Sequence, residues 1–181
     1  MKKTTLSESF YTFDYIPKIS KIDFDTIKNH IIKNSNNTIT DNILDYKHQY
    51  YPYNYHQHLG WALTYMSEVY QLDHNNYPVS IEYKNAFLIQ KKGESIEKHN
   101  HLIEWDLKDS PNISVLLTVA SGKKPSYLVF DFDNNRDQGR RWKIPLEVGK
   151  FIFFSSGLNH LITKNENDEE LINVSYQCHF Y

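Results

Sequence analysis

The sequence predicts a mainly β fold, a sandwich or barrel of short strands preceded by helices. Three observations carry that reading. From about residue 80 onward, about eight short segments rich in β-branched and aromatic residues recur at the 8–12-residue spacing of all-β domains. Between about residues 20 and 75, the apolar positions follow helical spacing instead. No internal repeat or low-complexity linker separates the two regimes, and 181 residues suit one domain with one real core. The expected organisation is a single domain over 1–181, with 1–79 as a helical N-terminal buttress and 80–181 as the β core.

The elements follow in chain order. Met1-Lys2-Lys3-Thr4-Thr5-Leu6-Ser7-Glu8 is basic, but no apolar run follows it, so an ordinary signal peptide is not expected. Phe24, Ile27 and Ile31 fall at i, i+3 and i+7 behind Asp23, a candidate N-cap. Trp61, Tyr65, Val69 and Leu72 form a second amphipathic face, expected to pack into the core. Between them, Tyr46 to His58 is rich in tyrosine and interrupted by Pro52, which predicts an irregular loop. Tyrosine offers a large amphipathic surface, so this loop suits packing on the body, a pocket wall or a homodimer contact. The strand segments are 81–91, 95–107, 113–120, 126–132, 141–145, 150–154, 158–163 and 170–180. Gly93, Pro111, Ser121-Gly122, Asp133-Asn134-Asn135, Gly139, Gly149 and Gly157 punctuate them.

Composition excludes several functional classes. Twenty Lys and Arg against 22 Asp and Glu leave a net charge of −2, unlike a protein that binds nucleic acid by neutralising phosphates. No stretch reaches the ~20 apolar residues of a membrane helix. Cys178 is the single cysteine, which removes disulfide frameworks and CxxC motifs and fits a reducing cytoplasm. Lysine outnumbers arginine 17 to 3 while Asn and Tyr are abundant, a bias of AT-rich coding sequence such as that of some bacteria and phages. For a phage-encoded chain, the expected compartment is the host cytoplasm. The expected partner is a small-molecule substrate rather than nucleic acid or membrane.

Chemistry concentrates in the histidines. Nine are present, and His99-Asn100-His101 is an HxH pair in a predicted strand. Residues i and i+2 of a strand share a face at roughly 6.5–7 Å, so two imidazoles there can converge on one metal with a third ligand from a neighbouring strand. His56-Gln57-His58 has the same spacing in the Tyr-rich loop, where a surface or packing role is expected. Imidazole donors suit Fe, Zn, Cu or Ni, and no thiolate set points to a softer site.

The context of the first pair goes further. Gly93, five residues, His99, one residue and His101, followed by Glu104 and Asp106, resembles the first signature of the cupin superfamily. Gly149, five residues, Ser155, one residue, Gly157, two residues and His160 resembles the second. Ser155 replaces the usual proline, and Lys164 replaces an asparagine that appears one place later as Asn165. The segment Phe151-Ile152-Phe153-Phe154-Ser155-Ser156-Gly157-Leu158-Asn159-His160 is similar to the distal-histidine region of 2-oxoglutarate/Fe(II) oxygenases. Over residues 80–180, the resemblance implies a double-stranded β-helix (cupin-like jelly roll) and a mononuclear non-haem Fe(II) oxygenase. It implies His99, His101 and His160 as metal ligands, with Glu104 and Asp106 as secondary candidates.

One departure bears on the co-substrate. The family's R-x-S element would begin about eleven residues after His160, where this chain has Leu171. That arginine would pair with the distal carboxylate of 2-oxoglutarate, and leucine has no group to do so. Lys164, Lys123 and Lys124 are the lysines considered as substitutes. Asn173 and Ser175 share a face of the last strand and are the other candidates for contact with a bound acid. The substrate class stays open between a small molecule and a macromolecular side chain. Two alternatives remain open, a cupin-like binding or assembly protein without catalysis, and another metal-dependent cupin enzyme such as a three-histidine dioxygenase or an isomerase.

The remaining motifs have plainer readings. Asp131 to Asp137 lacks the glycine and terminal glutamate of a calcium loop and reads as a polar hairpin turn. Arg140-Arg141-Trp142-Lys143 reads as a solvated strand edge. Cys178 reads as a small buried hydrophobe.

Overall fold

A computed structural model of the chain describes residues 2–7, 10–15, 23–34, 64–71, 75–76, 80–103, 106–132 and 140–181. The described elements are β1 (Lys2–Ser7), β2 (Phe10–Tyr15), α1 (Phe24–Asn34) and a second helix, α2 (64–71). Then follow β3 (Ile81–Gln90), β4 (Ile96–His99), β5 (Ile113–Ala120) and β6 (Tyr127–Phe132). The last four are β7 (Arg140–Pro145), β8 (Phe151–Ser155), β9 (His160–Ile162) and β10 (Leu171–Phe180). They form a six-stranded sheet in the order β1-β2-β8-β5-β10-β3 and a four-stranded sheet in the order β4-β9-β6-β7. Every pairing is antiparallel.

Strands β5, β8 and β10 of the larger sheet are buried on both faces, and strand alternation divides their residues between two cores. Val115, Leu117, Phe151, Phe153, Val174 and Tyr176 face Ile27, Ile31, Met66 and Val69 of the helices. Leu116, Ile152, Phe154 and Leu171 point the other way, against Ile96, Leu128, Phe130 and Ile162 of the smaller sheet. Phe130 meets Phe154 edge-on across that layer, with centroids 5.2 Å apart. Burial on both faces explains why Phe151-Ile152-Phe153-Phe154 is continuously apolar, without the alternation of a half-solvated strand.

The helices form for local reasons. Asp23 caps α1 by accepting a hydrogen bond from the Thr26 N–H at 3.0 Å, and Ile27 and Ile31 are buried one turn apart. Cys178 is fully buried with its Sγ 3.7 Å from Met66 Sδ, and burial pushes its thiol pKa up. Trp61, Leu72 and the Tyr46–His58 loop, with His56 and His58, lie outside the described residues.

Two expectations need correction. The segment before residue 80 is not wholly helical. A β1–β2 hairpin joins the larger sheet through β2, which pairs with β8 from Thr12↔Phe154 to Tyr15↔Phe151. That pairing satisfies the outer backbone edge of β8. The strand expected over 95–107 stops at His99. There the Asn100 side chain accepts from the Leu102 N–H at 3.1 Å and donates to Asn159 Oδ1 at 3.3 Å, which draws the chain out of the ladder.

Asparagines also fix the connections below the site. Asn165 is buried and donates from Nδ2 to the carbonyls of Gln90 and Glu169, tying the turn after β3 to the segment before β10. Asn167 accepts from the Lys124 N–H at 2.8 Å and donates to the Lys124 carbonyl at 2.9 Å, as a strand residue would. Gly122 makes room for it, because a Cβ there would overlap the Asn167 side chain. Gly122→Ala should therefore lower unfolding stability by about 1–3 kcal/mol in urea titration. Gly157→Ala, whose Cβ would reach ordinary contact distance of Leu102, should have a smaller effect.

Candidate metal centre

His99 ends β4 and His160 opens β9, and the two are register partners on adjacent antiparallel strands. Directly opposed residues lie close enough for their side chains to meet, and these two rings have centroids 4.3 Å apart. His101 reaches the same place by another route. Its backbone N–H donates to the Ser156 carbonyl at 2.9 Å, which anchors the segment leaving β4 against the end of β8. Its ring then lies 4.8 Å from that of His160 and 5.2 Å from that of His99. One nitrogen from each residue falls within 4.8 Å of the other two.

Hydrogen bonds orient the rings. His99 Nδ1 lies 2.8 Å from the Glu97 carbonyl, and His160 Nδ1 lies 2.8 Å from the Leu158 carbonyl. A carbonyl only accepts, so each Nδ1 carries the proton and each Nε2 presents a lone pair. His101 Nδ1 instead meets Ser114 Oγ at 2.6 Å, and Ser114 meets Ser156 Oγ at 2.8 Å. Both serines are fully buried. Sequence reading missed these two residues. The available signal was a hydroxyl on the inward parity of an otherwise apolar strand, with Ser114, Leu116 and Thr118 alternating along β5.

Electrostatics favours neutral rings. His160 is only 4% exposed, and its pKa lies well below the ordinary value, first through burial and then through repulsion from His101 and His99. The Leu158 carbonyl opposes the shift without reversing it. Burial also lowers His99, against a smaller upward pull from the Glu97 carbonyl. Neutral imidazole is the form that donates a lone pair to a cation.

Beside the three rings is a pocket of about 420 Å³, counting its open mouth. Its walls include Leu88 and Leu116 of the larger sheet and Leu128 and Ile162 of the smaller one. Ser175 and Gln177, both on β10, supply polar groups opposite the imidazoles. Asn173 shares their strand face but sits deeper, where its Oδ1 accepts from Thr118 Oγ1 at 2.9 Å. Leu171 is 1% exposed and packed between the sheets.

Among the described residues, the other candidates are not brought to the rings. Asp106 accepts from the Asp109 N–H at 3.2 Å, capping a turn outside the histidine group. Glu104 lies outside the described residues. Lys164 is exposed beside Gly93, and Lys123 and Lys124 are exposed as well. None of these three lysines lines the pocket. Arg141, Trp142 and Lys143 are exposed on β7, the outer strand of the smaller sheet, as expected for a solvated edge. Arg141 Nε bonds Asp131 Oδ1 at 2.7 Å at the start of the β6–β7 hairpin.

No protein-family model and no curated protein sequence matches the chain. Solved structures do. A Pseudomonas putida prolyl-4-hydroxylase superposes with a TM-score of 0.62 at 11% identity, covering 93% of this chain and 91% of that one. The fold is a double-stranded β-helix. The carbocyclase SnoK of nogalamycin biosynthesis, described as non-heme and alpha-ketoglutarate dependent, matches at TM-score 0.66 and 8% identity over 93% and 79% of the two chains. HygX from Streptomyces hygroscopicus, solved with nickel and 2-oxoglutarate bound, matches at 0.62 and 6% identity over 91% and 81%. The jelly roll implied by the two signatures is the architecture found. Within it, β4 and β9 bring His99 and His160 together at one end of the smaller sheet.

The pKa directions set a pH dependence for the metal-free protein. A depressed histidine pKa means that the unfolded chain binds more protons than the folded one, so stability rises with pH across that interval. Unfolding stability should fall as pH drops below about 6.5, by up to ~1.4 kcal/mol per pH unit for each such histidine. Urea titrations at several pH values check this, and His160→Gln should flatten the dependence.

Proposed function

We propose that the protein is a mononuclear non-haem Fe(II) oxygenase acting on a small molecule, with His99, His101 and His160 as the metal ligands. The observation that supports it is the convergence of three oriented imidazoles at the open pocket of a double-stranded β-helix. The donor set fits the ion, because nitrogen ligands suit ferrous iron and three of them leave coordination positions for other ligands. Structures of the same fold include enzymes described as alpha-ketoglutarate dependent, and one with nickel bound. Bound iron would supply the dioxygen chemistry.

The chain's own residues do the rest. Glu97 and Leu158 carbonyls hold the tautomers of His99 and His160, and Ser114 with Ser156 holds His101. Apolar walls line the pocket, while Ser175 and Gln177 offer polar groups to whatever enters. The all-imidazole donor set also favours a second reading, a three-histidine dioxygenase that takes its substrate directly at the metal. A metal-free binding protein is the outcome expected only when no specific metal uptake is found.

Elemental analysis after anaerobic Fe(II) loading should give about one iron per chain, lost in His99→Ala and His160→Ala, with folded variants verified by circular dichroism. Absence of specific uptake by the folded wild type would remove the oxygenase reading. An oxygen-electrode screen of the loaded protein then tests catalysis. Ser114→Ala should weaken metal affinity by about 10- to 100-fold in chelator competition, and Ser156→Ala by less.

A further inference from the structure

We infer that the pocket beside the three histidines takes a ligand whose inner end is uncharged, and does not take 2-oxoglutarate as a dicarboxylate. The inference rests on the metal-centre reading above and concerns what lies beyond the metal. Among the described residues lining the pocket, the only titratable side chains are the three histidines. Leu171, which the sequence alignment of motifs puts in place of the distal arginine, is sealed into the apolar layer between the sheets. One register position deeper than Ser175 on the same face is Asn173, fully buried, with Thr118 on its Oδ1 and no partner on its Nδ2. A neutral donor is therefore present at the depth where a cation would be needed.

No described lysine or arginine lines the pocket, and two of them are engaged elsewhere. Lys150 is buried, but its Nζ bonds Glu147 Oε1 at 2.9 Å and the Pro145 carbonyl at 3.2 Å. Arg141 is held by Asp131 at the outer strand of the smaller sheet. A carboxylate entering an apolar cavity loses its hydration, and neutral donors replace only part of it. A carbonyl, hydroxyl or ether oxygen makes the same hydrogen bonds with Ser175 or Gln177 of the pocket wall at far smaller desolvation cost. Three neutral imidazoles leave the full charge of a divalent ion uncompensated, so any anionic group of the ligand belongs at the metal end.

The test uses full-length protein loaded with Co(II), whose uptake is measured first. Calorimetry then compares 2-oxoglutarate, its 5-methyl ester and 2-oxopentanoate, which share the metal-chelating end and differ in the charge of the other. The ester or 2-oxopentanoate should bind about tenfold or more tightly than 2-oxoglutarate. Ser175→Ala should weaken the ester by roughly 3- to 10-fold with Co(II) stoichiometry unchanged. Binding of 2-oxoglutarate as tightly as both uncharged probes would overturn the inference. Binding of none of the three by Co(II)-loaded protein would overturn it too. Failure to take up Co(II) at all would instead remove the metal centre on which it rests.

Discussion

Strand β10 is buried on both faces, and that constraint organises the rest of the molecule. Hydrogen-bonded to β3 on one side and β5 on the other, it has no free edge along most of its length. Its even-numbered residues, Ile172, Val174, Tyr176 and Cys178, face the helices and are fully or almost fully buried. Its odd-numbered residues, Leu171, Asn173, Ser175 and Gln177, face the smaller sheet. A slip of one residue in its register would exchange the two sets and place Asn173 and Ser175 in the apolar core under the helices. The pocket wall is thus specified by the packing of its opposite face, far from any histidine.

Between the sheets, the layer changes character along its length. Towards Leu171 it is apolar, with Leu116, Leu128, Phe130 and Ile162 closing it. Beside the histidines it admits Ser114 and Ser156, and one register step beyond Ser175 it admits Thr118 and Asn173, all four fully buried. Polar groups at such positions are tolerated only with partners, and all four make a side-chain bond to one another or to His101. Departures from an apolar core tend to mark function because local stability alone would not retain them. Here they cluster around His101 and the pocket floor.

Much of this was legible in the sequence because the signals were local. Short β-branched and aromatic runs set off by turn residues located the eight described strands after residue 80, and Asp23 with Ile27 and Ile31 marked α1. His99 and His160 could be paired only through the order of the two signatures, since their contact spans two strands far apart in the chain. The termination of β4 escaped because Asn100 acts through a side-chain bond to Asn159, which no periodicity records. The β1–β2 hairpin escaped for a related reason. Its stability comes from pairing with β8, and an alternating segment carries no label for its partner. Asn165 is intermediate. Its shift by one place from the signature's asparagine was visible, but its role in tying Gln90 to Glu169 required the fold.

The three imidazoles set a conflict that the scaffold resolves in favour of a ligand. Burial lowers the pKa of His160 well below the ordinary value, and packing the rings within one another's reach adds repulsion from His101 and His99. Neutral rings facing each other gain little, since each Nε2 lone pair points towards a space shared with two more. Backbone carbonyls have already committed the Nδ1 of His99 and of His160, so neither ring can change tautomer without losing a hydrogen bond, while the Ser114 hydroxyl holds the His101 ring in place. The fold therefore holds together three rings whose crowding a bound cation would relieve. Preorganisation of this kind transfers the cost of assembling the site from the binding step to folding, where the double-sided burial of β5, β8 and β10 carries it.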